Sequence, residues 1–198
     1  LNNNVSSSSK LYFSRTTYFN EDCTLELGRS NLYLKKPSFK NALVQNMAGG
    51  NTMVFNHNAK NIICESIINI DFASHDWWCY QIITGSGGYV YYDQNPFIKY
   101  RQHKNNFMGS NNTFTDRIKR IRKLFQNQLK NWNDINLNSL NNKKYLLTNK
   151  NLLTLKTYLE LRDQSLFKRI FLFYKSGIYR QNFTGNLGLF VALIFKKL

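Results

Sequence analysis

The stretch SHDWWCYQIITGSGGYVYY, residues 74–92, decides how the chain is read. Ser74 suits a helix cap and Asp76 suits a first turn, where a carboxylate meets the positive end of the helix dipole. Trp77, Trp78, Tyr80, Ile82 and Ile83 follow without a helix breaker, and Gly85, Gly87 and Gly88 close the segment. Tyr89-Val-Tyr-Tyr92 then has strong strand propensity. A helix that hands over to a strand through a glycine turn is the working unit of an α/β layer structure.

The same alternation extends outward on both sides. Lys10 to Thr17 reads as a strand carrying Leu11 and Phe13, and Glu21-Asp22 as a turn. Phe39, Leu43 and Met47 share one face of a short helix expected from about Ser38, which Gly49-Gly50 should end. Asn51 to Asn56 reads as a strand, Ala59 to Ile67 as a second helix, and Pro96 precedes an extended stretch from Phe97 to Tyr100.

Beyond that point the character changes. Residues 116–198 hold 17 Lys and Arg against 4 Asp and Glu, so +13 of the formal net charge of +16 falls there. Ile118, Ile121, Leu124, Phe125 and Leu129 recur at helical spacing within the basic run that starts at Arg117. Two more helical patterns carry Leu146, Leu147, Leu153, Leu155 and Leu159, then Leu166, Ile170, Phe171, Phe173 and Tyr174, with Gly177 as a stop. Residues 1–115 are therefore expected to form an α/β part and 116–198 a basic, all-helical region.

Composition narrows the function. A chain of 198 residues fits one globular domain, and 42% hydrophobic content excludes wholesale disorder. Asn is over-used, at 28 positions, yet apolar periodicity runs through the Asn-rich stretches, which argues against a prion-like tract. Cys23, Cys64 and Cys79 have no metal-type spacing and are odd in number, so a reducing compartment fits better than a disulfide framework. The opening residues are polar rather than signal-like, and the longest apolar run, Leu189 to Phe195, is far short of the roughly 20 residues that span a bilayer. The basic helices read either as ordinary helices with solvated charged faces or as attachment to an anionic membrane leaflet. No helix-turn-helix, RNP-like or zinc pattern supports nucleic-acid binding, so no nucleic-acid partner is expected.

Three polar islands interrupt the apolar pattern: Gln45 to Thr52, His75 to Trp78, and Tyr100 to His103. Each falls at a junction of elements, where binding residues concentrate in α/β sheets. A Gly-Gly pair permits close backbone approach to a ligand, but it also serves plain turns. Asp76 is either a dipole partner or a general base, and Trp77 and Trp78 are either core anchors or platforms for a sugar ring. Arg101 and His103 share a side of an extended segment; Arg101 suits a phosphate, and His103 suits a metal or a phosphate.

In this order the islands resemble the family 2 glycosyltransferases, in their rhamnosyltransferase-like branch. The residues that carry the resemblance are SFKNALVQNMAGGNTMVFN at 38–56, HDWW at 75–78 and YRQH at 100–103, with Asn106 and Gly109. It extends more loosely to Tyr179-Arg180-Gln181-Asn182. The resemblance implies a GT-A fold, the fold of nucleotide-diphospho-sugar transferases, here as a partial copy without its N-terminal donor half and followed by the helical tail. It implies transfer of a sugar from a nucleotide-diphosphate donor to a hydroxyl of a growing cell-surface polysaccharide, with a lipid-linked or polysaccharide acceptor. The acidic residue at the position of Asp76 is the family's general base. Gly49, Gly50, Asn51, His75, Trp77, Trp78 and Arg101 would bind substrate and His103 a metal. The family's divalent cation (Mg or Mn) is held mostly by an Asp-X-Asp motif, of which the sequence has none. Work on such an acceptor implies a cytoplasmic protein peripheral to the inner face of the membrane. The rival expectation is a catalytically inactive, truncated product acting as a glycan- or membrane-binding module.

Overall fold

The computed structural model describes residues 8–103 and 128–198. It is a mixed α/β structure with a four-stranded sheet and seven α-helices among the described residues. Strand β1 (Lys10–Phe19) is the centre of the sheet. Strand β4 (Tyr89–Arg101) runs parallel to it from Lys10↔Tyr89 to Phe19↔Arg101. The opposite edge of β1 takes two short antiparallel partners, β2 (Glu26–Arg29) near its end and β3 (Val54–Phe55) near its start. Parallel strands need a crossover, and residues 20–88 supply it through three helices: α1 (Phe39–Ala42), α2 (His57–Ser66) and α3 (His75–Gly85).

Local chemistry explains most boundaries. Asn56 caps α2 by accepting from Ala59 N, and the Ser38 side chain caps α1 by accepting from Asn41 N. Strand β2, which propensity did not announce, is set up by Asn20, whose Oδ1 accepts from Thr24 N and Leu25 N and turns the chain back. Three sequence expectations change. The helix from Ser38 ends at Ala42, well before Gly49-Gly50, and Gly50 instead opens a 3-10 turn over Gly50–Thr52. The expected strand over 51–56 shrinks to Val54–Phe55 for the same reason. Conversely, Tyr89–Tyr92 and Phe97–Tyr100 join into one strand. Its register with β1 shifts around Arg15↔Pro96, a bulge that accommodates a residue without an N–H.

The C-terminal region comprises α4 (Gln128–Asn142), α5 (Asn149–Arg162), α6 (Leu166–Ser176) and α7 (Phe183–Ile194). Thr148 caps α5, and Gly177 ends α6 in the left-handed conformation (φ 64°) that glycine adopts without a Cβ penalty. The basic helix expected from Arg117 falls, as far as residue 127, outside the described residues, as do Asn106 and Gly109.

These helices are not a separate unit. One hydrophobic core runs from Leu11 and Phe13 through Leu43, Trp78, Tyr80 and Ile82 to Leu140, Leu155, Tyr158 and Leu193. Polar seams reinforce it. Thr148 N and the Asn151 side chain donate to Gly85 O, and Asn151 also to Thr84 O, which satisfies the carbonyl end of α3. Ala73 N donates to Asn136 Oδ1, and Ser139 Oγ to Asp71 O, tying the loop before α3 to α4. The mixed α/β character is thus plain, and the charge boundary near residue 115 does not divide the core.

Candidate active site

The expected site residues are distributed by the fold into two places. Gly49, Gly50 and Asn51 lie in the turn after Ala48, and Thr52 Oγ1 accepts from Ser14 N, which pins that turn at the middle of β1. Gly50 faces the His75 imidazole: a Cβ at position 50 would come within 2.4 Å of His75 Nε2. Only glycine permits that approach without displacing the ring. The first two islands, 25 residues apart, therefore meet at the N-terminus of α3.

Asp76 stands in the first turn of α3, half-buried, and its Oδ1 accepts from Trp77 N at 2.7 Å. Among the described residues no hydrogen bond reaches Oδ2. Ser74, expected to cap this helix with its side chain, occupies the N-cap position with extended backbone but makes no side-chain cap bond. The Cys79 thiol, one turn into α3, is pushed up to about 11 by burial, and the neighbouring Asp76 carboxylate adds to the rise.

The two indoles are anchors. Trp77 is buried and donates through Nε1 to Ala42 O at 2.7 Å; Gln81 Nε2 donates to the same carbonyl at 3.1 Å. Together they satisfy the end of α1 from consecutive turns of α3. Trp78 is 1% exposed, stacks on Phe72 and donates through Nε1 to Ser66 Oγ. Neither offers a free face to a sugar, which corrects the expectation that they bind substrate.

The third island is elsewhere. Arg101 pairs with Phe19, five residues along β1 from the Ser14 level at which the Gly49–Thr52 turn is pinned. At strand rise that is about 17 Å. His103 is exposed two residues past β4. The register thus sets Arg101 and His103 toward the far end of β1 from the Gly49–Thr52 turn. Among the described residues no three His, Cys, Asp or Glu side chains converge as a metal-binding group.

Residues to which the sequence alone gave no site role form a network behind the glycines. Asn41 is fully buried; its Nδ2 donates to Gln45 Oε1 and to Tyr179 O, and its Oδ1 accepts from Tyr80 Oη. Gln181 N donates to Gln45 Oε1, while the Gln181 side chain exchanges hydrogen bonds with the backbone of Lys35. Ser38 Oγ and Tyr179 Oη lie 2.8 Å apart. Burial raises the Tyr80 hydroxyl well above its ordinary value, so it remains a neutral donor. This network clamps Tyr179 and Gln181 of the tail onto the segment that leads to Gly49. Its signals in the sequence were the island that opens at Gln45, the 38–56 stretch, and the looser resemblance at residues 179–182.

No protein-family model, curated protein or solved structure matches the chain.

Proposed function

We propose that the chain carries the acceptor side of a family 2 glycosyltransferase of the rhamnosyltransferase-like type. The observation that supports this reading is the meeting of Gly50 with His75 beside Asp76, which joins two of the three islands of the resemblance at one helix N-terminus. In this reading the acceptor hydroxyl lies over the Gly49–Asn51 turn. The Asp76 carboxylate, held in orientation by Trp77 N, takes the hydroxyl proton as that oxygen attacks the anomeric carbon of the donor sugar. The new bond is oxygen to anomeric carbon, and the bond that breaks releases the nucleotide diphosphate with its electron pair. Asn51, exposed at the rim, and His75 contribute hydrogen bonds to the sugar hydroxyls. No step is routed through a metal, and Arg101 is not assigned to the reacting phosphates.

The acceptor in this reading is a lipid-linked or polysaccharide hydroxyl, and the protein works peripherally at the cytoplasmic face of the membrane. A non-catalytic glycan- or membrane-binding module is the second reading, and the exposed aromatics of α6 and α7 would supply its surface.

The test is release of nucleoside diphosphate from dTDP-rhamnose and UDP-glucose in the presence of a membrane extract as acceptor. Loss of a general base costs roughly 10²–10⁴-fold, so Asp76→Asn should fall by at least about a hundredfold. Because the reading gives this chain the acceptor side alone, both forms are assayed joined to an Asp-X-Asp donor half, and near-normal turnover of Asp76→Asn there removes the reading.

A further inference from the structure

Helix α6 is built inside out. Its buried residues are Arg169, Leu172 and Ser176, while Phe167 is 86% exposed, Tyr174 70% and Phe171 stands out between them. These three aromatics sit at i, i+4 and i+7, so they form one stripe. Helix α7 repeats the pattern: Phe183, at 81% exposed, Leu187 and Ile194 fall on its outer face, and Phe195 is exposed just beyond. Phe173 meets Phe190 edge-on between the two helices. Tyr174, Gly177, Ile178 and Asn186 complete an open groove of about 310 Å³ there.

The charge carried by these two helices and the segments beside them has one sign. Residues 164–198 contain six Lys and Arg and no Asp or Glu. Arg169 is not part of the surface charge, because it is buried and donates to Leu193 O, Ile194 O and Gln164 O. Lys168 pairs with Glu160 on α5. Lys175 and Lys196 remain exposed beside the aromatic stripes. Aromatics flanked by lysines on amphipathic helices suit the headgroup and acyl boundary of a bilayer, with the rings inserted and the ammonium groups on phosphates. A second copy of the chain would bring like charges together across the same face, which opposes self-association. Among the described residues no helix is long and apolar enough to cross a membrane, which leaves lying on the surface as the mode of contact.

We infer that the outer face of the α6–α7 pair docks on an anionic lipid bilayer, with Phe167, Phe171, Tyr174, Phe183 and Leu187 inserted and Lys175 and Lys196 on the headgroups. The surface lies in the described helices and is distinct from the basic run that begins at Arg117. Docking needs no sugar nucleotide, so its outcome is independent of the transferase reading.

The experiment is flotation of the full chain with phosphatidylcholine vesicles, with and without phosphatidylglycerol, at low and high salt. Binding is expected only with the anionic lipid. Phe171→Glu should lower partitioning about tenfold or more, since a buried aromatic contributes roughly 1.5–3 kcal/mol. Lys175→Gln and Lys196→Gln should each lower it about fivefold and reduce the salt dependence, at on the order of 1 kcal/mol per charge. The lysine variants keep the test valid should Phe171→Glu not fold. Equal binding to both vesicle types overturns the inference, as does flotation that survives all three substitutions. Flotation lost only when the Arg117–Lys123 cations are neutralised overturns it too. Finally, a concentration-dependent dimer that Phe171→Glu dissolves, without vesicle binding, assigns the face to self-association instead.

Discussion

Helices α3 and α6 are each eleven residues long and each rich in aromatics, yet they treat those side chains in opposite ways. In α3, Trp77, Trp78 and Tyr80 are all buried, and the exposed or half-exposed positions are His75, Asp76 and Cys79. In α6 an arginine is buried and three aromatics face outward. The contrast comes from neighbours. Helix α3 is covered by α1, α2 and the sheet, so each large ring displaces water from a closed interior. Helix α6 packs mainly on α5 and only lightly on α7, and its contact face has a specific polar demand: the open carbonyls at the end of α7 and at Gln164. A guanidinium with several donors meets that demand where an aliphatic side chain cannot. Aromatic content thus says little about burial until the partner of each face is known.

The contrast is tested most severely at the deepest ring. Trp78→Ala should destabilise the fold by about 3–5 kcal/mol, because it empties the centre of the core and removes the donor to Ser66 Oγ, which keeps its own bond to Ile63 O. Phe167→Ser, removing an equally aromatic but exposed side chain, should change stability by under about 0.5 kcal/mol. Chemical denaturation of both variants measures the difference, and similar losses would show that α6 is covered in solution. Next in size is Arg169→Met. It preserves most of the volume but takes the guanidinium donors from Ile194 O and Gln164 O and leaves Leu193 O with backbone donors alone, a loss of about 1–3 kcal/mol in the same measurement.

The smallest effect is kinetic. Cys23 and Cys64 are exposed, whereas burial and the Asp76 carboxylate hold the Cys79 thiol at about 11, above its ordinary 9. Near pH 8 less of it is thiolate, so a disulfide reagent should titrate two thiols rapidly and the third slowly. Denaturant should abolish the lag. The same raised value means that whatever stability this group lends is complete below pH 9 and is lost as pH rises through about 11, since the unfolded chain ionises first.

Much of the local structure was legible in residue order. The start of α3 near Asp76, its end at the glycines, the strand from Tyr89 and the Gly177 stop follow from backbone preferences, and the Ser38 cap from its side chain, all acting within a few residues. Strand β2 and the early end of α1 were not legible. The first depends on an Asn20 side chain that folds back on its own turn. The second depends on Ala42 O being taken by donors from α3, 35 and 39 residues away. The site divides along the same line. Asp76 at a helix start could be read from its neighbours. Its closeness to Gly50 through His75, and the place of Arg101 toward the far end of β1, depend on strand register and the crossover path.

By itself the sequence determined the alternation of elements, the concentration of positive charge beyond residue 115, and the chemical types that stand at each junction. These depend on short-range backbone and capping energetics, or on composition alone. The tertiary structure alone decided which faces are covered. It buried both tryptophans, buried Arg169 beside the carbonyls of another helix, left the aromatics of α6 and α7 outside, and set the tail's Tyr179 and Gln181 behind the Gly49–Gly50 turn. Burial is a property of two surfaces at once, and the second surface lies tens of residues away along the chain.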